Sequence, residues 1–160
     1  MGSTSDMPVM EKAAKFFDEW EIPFELVALS AHRTPSEVEE FARGAKSRGI
    51  EVIIAGAGMA AALPGVIAAN TTLPVIGVPI KGSVLDGVDA LYSILQMPPG
   101  IPVATVAING AMNAAILAVQ IMSVGDKSLA ERLLAYKESL KEKIKKANED
   151  LSKMEFKFKV

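Results

Sequence analysis

Short apolar runs separated by helical stretches most constrain the fold of this chain. Runs rich in β-branched residues, each bounded by glycine or proline, alternate with longer segments whose apolar residues recur every three or four positions. The predicted strands are residues 24–29, 51–55, 75–78 and 103–108. Strands that are apolar on both faces and alternate with helices form parallel sheets covered on both sides. We therefore predict a three-layer, doubly wound α/β fold with a parallel sheet.

Helical periodicity indicates where the segments between the strands fold. It predicts a helix over residues 8–20 and a second over 35–48, which Gly49 ends. A lysine-rich helix is predicted at about 128–154. In the remaining tail, 155–160, phenylalanine and lysine alternate, as in a half-exposed edge strand. A frayed tail is an equally good interpretation of those residues.

Length and composition limit the classes of function. A chain of 160 residues is of the size of one domain, so we predict a single domain over 1–160. Half of the residues are hydrophobic, more than one core buries, which favours self-association. A net charge of −2 argues against nucleic acid as a partner. The chain has no cysteine and no apolar run of about 18 residues, so we expect a cytoplasmic protein without a membrane span.

Three unusual loops lie where the predicted fold places the carboxyl ends of its strands. In doubly wound sheets, ligands bind at the carboxyl ends of the strands. The loop Gly2–Asp6 offers hydroxyls and main-chain N–H groups at a helix start, where phosphate binds favourably. By itself that pattern is also typical of an ordinary helix N-cap. The loop Gly56–Gly65 has small side chains that let a ligand approach the main chain, or that permit tight helix–sheet packing.

The loop Ser30–Pro35 contains the only histidine of the chain, His32, next to Arg33. Histidine exchanges protons near neutral pH, and the planar guanidinium of arginine holds anions. One histidine without cysteines cannot form a typical zinc site, and no Walker or dinucleotide glycine pattern is present. We therefore predict a catalytic site with no metal and no bound cofactor.

Together these loops closely resemble the 5-(carboxyamino)imidazole ribonucleotide mutases of purine biosynthesis, the PurE class I family. The resemblance runs in order from Met1 to about Lys146. It is carried by five short motifs: Gly2-Ser3-Thr4-Ser5-Asp6, Ser30-Ala31-His32-Arg33-Thr34-Pro35, Gly56-Ala57-Gly58, Leu63-Pro64-Gly65 and Gln96-Met97-Pro98. It implies a flavodoxin-like fold and a homo-octamer that acts on a small ribonucleotide.

The resemblance also implies a reaction and a role for each matching position. A carboxylate leaves the exocyclic nitrogen of the substrate and reappears on carbon 4 of the imidazole, through enclosed carbon dioxide and without metal or cofactor. His32 is the implied catalytic acid–base. Ser3, Ser30 and Arg33 would hold the 5′-phosphate, and Asp6 the ribose hydroxyls. The complete implied substrate-binding set is Ser3, Ser5, Asp6, Ser30, Ala31, Arg33, Ala57, Gly58 and Leu63.

The sequence departs from the family in its third loop and at its ends. Met59 stands where the family has a glycine, and Ala62 replaces a second pocket histidine. The family's first strand would precede Met1, and the tail 155–160 is a candidate to fill that position. Three alternatives therefore stay open: a carboxylase or lyase that uses free carbon dioxide, a weakened member that acts as an oligomeric scaffold, and a binding module for flavin mononucleotide.

Overall fold

The computed structural model describes residues 1–159, and the chain divides into two compact units, one ending at Ile121 and one beginning at Met122. The elements in chain order are α1 (Met7–Glu19), α2 (Pro35–Gly44), β1 (Ile53–Gly58), α3 (Leu63–Ala69), β2 (Val75–Ile80), α4 (Val88–Leu95), β3 (Ala104–Thr105), α5 (Ala111–Ser123) and α6 (Lys127–Ser152). Short 3₁₀ turns, Thr4–Asp6 and Lys46–Arg48, precede α1 and follow α2. The single domain over 1–160 stays a prediction.

The sheet of the first unit is parallel, with the strand order β1-β2-β3. Ile53 of β1 pairs with Val75 of β2, and Ile76 pairs with Ala104 of β3. Every residue of β2 is buried, as expected of a central strand covered on both faces. Three of the four predicted strands are therefore confirmed, although β1 begins and ends later than predicted and β3 is shorter.

Helices cover the sheet and complete the core. The helix α3 packs against β1 and β2, and α4 packs against β2. Gly77 in β2 permits this packing, because a Cβ there would collide with the side chains of Ile94 and Val103. The predicted first two helices are confirmed, although α2 ends at Gly44 and it is the following 3₁₀ turn that Gly49 ends, with a left-handed φ of 86°. The doubly wound α/β fold is thus confirmed.

The predicted strand at residues 24–29 is wrong: these residues form no strand, and a gap lies beside residues 24–26, with which no described strand pairs. The amino group of Met1 donates to the carbonyl of Val27 at 3.0 Å, and Leu29 N–H donates to the Met1 carbonyl at 2.9 Å. On its other side, Gly2 N–H donates to Gly56 O at 3.0 Å. The chain start therefore lies between this segment and β1. The earlier residues of the segment have no strand beside them with which to form a ladder.

The gap leaves apolar side chains in contact with solvent. Phe24, Leu26 and Val27 are 44%, 47% and 38% exposed, although each belongs to a run that reads as a buried strand. An ion pair contacts the segment: the Arg48 guanidinium donates to both Glu25 carboxylate oxygens, at 3.0 and 3.2 Å. Residues 24–29 thus do not belong to the sheet.

In the second unit, α6 confirms the predicted C-terminal helix. Asp126 caps it by accepting from Leu129 N–H at 3.1 Å. After the helix, Lys159 Nζ donates to main-chain carbonyls at the helix end, those of Leu151, Ser152 and Met154. Residues 155–159 form no strand, so both the edge strand and the filling of the gap by this tail are wrong for them; Val160 lies outside the described residues. No helix within residues 1–159 has the length and apolarity needed to cross a bilayer.

Candidate active site

The three loops singled out from the sequence are joined by hydrogen bonds near β1. Gly2 belongs to the first loop, and its N–H donates to Gly56 O in β1, where the third loop begins. The Gly2 carbonyl accepts from Arg33 Nη2 of the second loop at 3.4 Å. Gly2 therefore connects all three loops through its main chain, and the site itself stays a prediction.

The first loop is closed by its own serine and aspartate. Ser3 Oγ accepts from Ser5 N–H at 3.3 Å, and Asp6 Oδ2 accepts from Ser3 N–H at 3.2 Å, which together form a capping box. Ser5 Oγ donates to Asp6 Oδ1 at 3.4 Å. Asp6 is buried, whereas Ser5 is exposed. The carboxylate of Asp6 thus shapes the loop, and the serine side chains stay accessible from outside.

The second loop presents an imidazole and a guanidinium from one tight turn. Ser30 Oγ accepts from both Arg33 N–H and Arg33 Nε, each at 3.2 Å. This pair of bonds holds the guanidinium on the side of the first loop. His32 lies in the turn between them and is exposed. The arrangement offers a fixed cation for an anion and a proton carrier one residue away.

The third loop contributes main chain rather than side chains. Ala57 and Leu63 belong to the hydrophobic core at 5% and 3% exposure, and Ala31 packs against the same cluster. Gly58 O accepts from Ala61 N–H at 3.0 Å, which turns the chain after β1. Contacts from Ala57 or Leu63 to a ligand would therefore have to come from their main-chain atoms.

Two residues of this turn adopt a backbone conformation that favours glycine. Met59 has a φ of 56° and Ala61 a φ of 41°, both in the left-handed region. Met59 is 65% exposed, so packing supplies little compensation for that conformation. The position at which the family has glycine is thus one where the backbone itself favours glycine.

Replacing Met59 with glycine should stabilise the protein. We expect the free energy of unfolding to rise by roughly 0.5–1 kcal/mol, because the left-handed conformation costs a residue with a Cβ about 1–2 kcal/mol and the greater freedom of glycine in the unfolded chain offsets part of that gain. The matched control is Ala60→Gly, next in the chain and exposed, which has no positive φ. Urea denaturation should show a gain of stability for Met59→Gly and a loss for Ala60→Gly. A loss for both variants would show that the backbone at Met59 is not strained.

The end of the third loop packs closely against the motif at residues 96–98. The Sδ and Cε atoms of Met97 lie 3.1 Å from the position that a Cβ on Gly65 would take. The absence of a side chain on Gly65 therefore makes room for Met97. A larger side chain at residue 65 would therefore displace Met97.

Sequence reasoning missed Asn109, which shapes the loop after β2. Asn109 has a φ of 59°, its Oδ1 accepts from Lys81 N–H at 2.9 Å, and its N–H donates to Pro79 O at 2.8 Å. Lys81 pairs with Asp86 at 2.8 Å, and this hydrogen bond raises the pKa of Lys81 above its ordinary value. The Asn-Gly dipeptide at 109–110 was the available signal, because it is typical of tight turns.

Metal-ligating side chains do not gather anywhere in the described chain. Within residues 1–159, no three side chains among histidine, cysteine, aspartate and glutamate lie close enough together to hold a metal ion. The structure joins Ser30, Arg33 and Gly2 by hydrogen bonds, and a serine hydroxyl with a guanidinium suits an anionic ligand.

Comparisons with known proteins agree with the motifs. The N5-carboxyaminoimidazole ribonucleotide mutase of Pyrococcus abyssi is 59% identical over 141 residues, which cover 88% of this chain and 81% of that protein. The mutase of Thermotoga maritima is 52% identical over 98% of this chain and 92% of its own length. The phosphoribosylaminoimidazole carboxylase of Schizosaccharomyces pombe is 53% identical over 98% of this chain, which spans 28% of that longer protein.

A solved structure and a family match extend this likeness to the fold. The crystal structure of Treponema denticola PurE superposes with a TM-score of 0.83 at 32% identity and covers 94% of each chain. The sequence matches the family described as AIR carboxylase over residues 1–143. The family match and these relatives cover most of the chain, and the three hydrogen-bonded loops contain four of the five motifs that carry the resemblance. The chain therefore belongs to the AIR carboxylase family.

Proposed function

We propose that this protein converts 5-(carboxyamino)imidazole ribonucleotide to 4-carboxy-5-aminoimidazole ribonucleotide, an isomerisation in purine biosynthesis. The observation that supports it most is the hydrogen-bonded connection from Arg33 through Gly2 to β1, with His32 next to Arg33 in the same turn. That connection joins a proton carrier to groups suited to a phosphate. Relatives at 52–59% identity are named for this mutase activity, which points to the same substrate.

The chemistry requires one proton to move and no electrons to be lost or gained. When the exocyclic nitrogen of the substrate is protonated, its bond to the carboxylate breaks and carbon dioxide is released in the pocket. Carbon 4 of the imidazole then forms a bond to that carbon dioxide and gives up its proton. His32 donates the first proton and accepts the second, so it ends the cycle in its starting state.

The other residues of the site bind and orient the substrate. Arg33 and the hydroxyls of Ser3, Ser5 and Ser30 would hold the 5′-phosphate, and Asp6 the ribose. Because Asp6 is buried and accepts hydrogen bonds from its own loop, a contact with ribose would require an oxygen that serves both. Ala31, Gly58 and the main chain of Ala57 and Leu63 would line the pocket that keeps carbon dioxide from escaping.

The same family contains proteins named as carboxylases, so free carbon dioxide is the second candidate source of the carboxylate. The yeast relative at 53% identity bears that name. The test is conversion of the carboxyamino substrate in buffer depleted of bicarbonate. We expect turnover without bicarbonate, whereas turnover only of the decarboxylated ribonucleotide with added bicarbonate would contradict the mutase and support the carboxylase. Binding without turnover of either substrate would support a scaffold.

We also propose that the active form is a homo-octamer in the cytoplasm. Exposed apolar side chains support self-association; they include Val84, Leu85, Tyr92 and Leu95, each more than half exposed. Light scattering on the fraction with turnover should give the mass of an octamer. Activity confined to a monomeric fraction would overturn this part of the proposal, and cell fractionation tests the location.

A further inference from the structure

The hydroxyl of Thr34 closes the turn that presents His32. Its Oγ1 accepts from Ser30 N–H at 2.9 Å and donates to Ser30 O at 3.1 Å. Thr34 N–H donates to the same Ser30 carbonyl at 2.8 Å. A single hydroxyl thus acts as both donor and acceptor on one residue, which only serine or threonine can reproduce at this position. The turn over residues 30–34 is closed at its base by three hydrogen bonds.

Thr34 occupies a position where threonine usually has another task. It is the N-cap residue of α2, where a threonine side chain normally accepts from the first N–H groups of the helix. Here the side chain makes no such capping bond, because it turns back to Ser30. Its hydrogen-bonding capacity is therefore directed to the shape of the loop and not to the stability of the helix.

Ser30 is bonded to Thr34 and to Arg33 through different groups. Thr34 engages the main chain of Ser30, and the Ser30 hydroxyl accepts from Arg33 N–H and Nε. Arg33 Nη2 in turn donates to Gly2 O in the first loop, Gly2–Asp6. A chain of contacts leads from Thr34 through Ser30 and Arg33 to Gly2, and His32 lies within the turn that these contacts close.

We propose that Thr34 is a positioning residue, which sets the relation of His32 and Arg33 to the ribonucleotide through its two hydrogen bonds to Ser30. The inference rests on the proposed function and extends it to a residue that touches neither substrate nor reacting atoms. Loss of the hydroxyl should loosen the turn, and a displacement of about 1 Å at a reacting group costs about a hundredfold in rate. Both phosphate binding and proton transfer should therefore suffer.

The test compares Thr34→Val, which keeps the shape of the side chain, with Thr34→Ser, which keeps the hydroxyl. We expect kcat/KM to fall by about tenfold to a hundredfold in Thr34→Val and to stay near the parent value in Thr34→Ser. The matched control is Thr71→Val, because the Thr71 hydroxyl also accepts from a main-chain N–H, that of Leu73 at 3.2 Å, in a different loop. This control should lose stability but keep kcat/KM.

A second measurement uses the single histidine and does not depend on turnover. The His32 C2 proton gives one resonance, and titration with inorganic phosphate should shift it in the parent and in Thr34→Ser but much less in Thr34→Val. If Thr34→Val does not fold, Thr34→Ala takes its place with the same expectations. A parent without mutase activity, whose phosphate response still depends on the Thr34 hydroxyl, would overturn the proposed function and leave the positioning role supported.

Three results would overturn the positioning role. The first is unchanged kcat/KM and an unchanged phosphate response in Thr34→Val. The second is equal damage in Thr34→Ser and Thr34→Val, which would mean that the β-methyl group or the helix start matters and not the hydroxyl. The third is a parent that neither turns over substrate nor responds to phosphate at His32, which would overturn both proposals.

Discussion

Replacing His32 with asparagine is expected to lower turnover by about a hundredfold to ten-thousandfold, the usual contribution of a positioned general acid–base. Asparagine is polar and of similar size, and His32 is exposed, so the fold should be unaffected. His32 is the only histidine of the chain, so no second imidazole can take over the proton transfer. The measurement is single-turnover conversion of the carboxyamino substrate, with exchange of the carbon 4 proton against deuterated water as a second readout.

Arg33→Gln provides the contrasting variant for this experiment. The loss of a charged hydrogen-bond donor to the phosphate should weaken substrate binding by about tenfold to a hundredfold. In that variant KM should rise more than kcat falls, whereas in His32→Asn kcat should fall and substrate binding should persist. Substantial turnover and proton exchange in His32→Asn would show that another group or a water molecule moves the proton.

Five β-branched residues joined to the amino group of Met1 are expected to raise the melting temperature by about 6–12 °C. Met1 already forms hydrogen bonds on both sides, with residues 27 and 29 and, through Gly2, with β1, so added residues would continue into the gap. A buried valine or isoleucine contributes about 1.5–3 kcal/mol, while ordering a residue costs about 1.5 kcal/mol. Five residues therefore contribute a net stabilisation on the order of 3 kcal/mol. Each kcal/mol raises the melting temperature of a chain of this size by roughly 2–4 °C.

The control for this variant is a glycine-serine extension of equal length. It moves the charged amino group away from Met1 but supplies no apolar side chains for the gap. We expect no rise in melting temperature for the control, measured by circular dichroism well above pH 8.0, where the Met1 amino group is neutral in the folded and the unfolded chain. Equal melting temperatures for the two extended chains would show that the gap does not accept a strand.

Both extensions should also remove a pH dependence of stability. Burial lowers the pKa of the Met1 amino group below its ordinary value of 8.0, and the nearby Asp6 carboxylate offsets part of that effect. Between the lowered pKa and 8.0, the unfolded chain binds more protons than the folded one, so stability rises with pH across this window. Neither extended chain has a charged amino group at Met1, and this rise should vanish in both.

The fold was predictable where a segment's own pattern decided its structure. Residues 75–78 are apolar throughout and became the fully buried strand β2, and the three-to-four residue period of residues 8–20 became α1. Residues 24–29 have the composition of a strand but lack the neighbour that a ladder requires. Because strand formation depends on a partner, no local pattern shows whether that partner is in place.

The candidate site was predictable in its residue types but not in its connections. The motifs located a histidine, an arginine and serine-rich loops, because the chemistry of those side chains can be read one residue at a time. The contact of Arg33 with Gly2, 31 positions apart, and the closure of the turn by Thr34 cannot be read that way. Asp6 illustrates the difference, since its carboxylate binds its own loop and is buried.

The sequence by itself determined the alternation of helices and strands, the family motifs and the single proton carrier. Each of these depends on side-chain chemistry and spacing along the chain, which folding does not alter. Tertiary structure alone decided that Gly2 joins three loops, that Met59 adopts a left-handed conformation and that residues 24–29 stay outside the sheet. Those features depend on contacts between main-chain groups that are far apart in the sequence. Whether such a contact forms depends on whether its hydrogen bonds outweigh the entropy lost in closing the loop, and that depends on the whole fold.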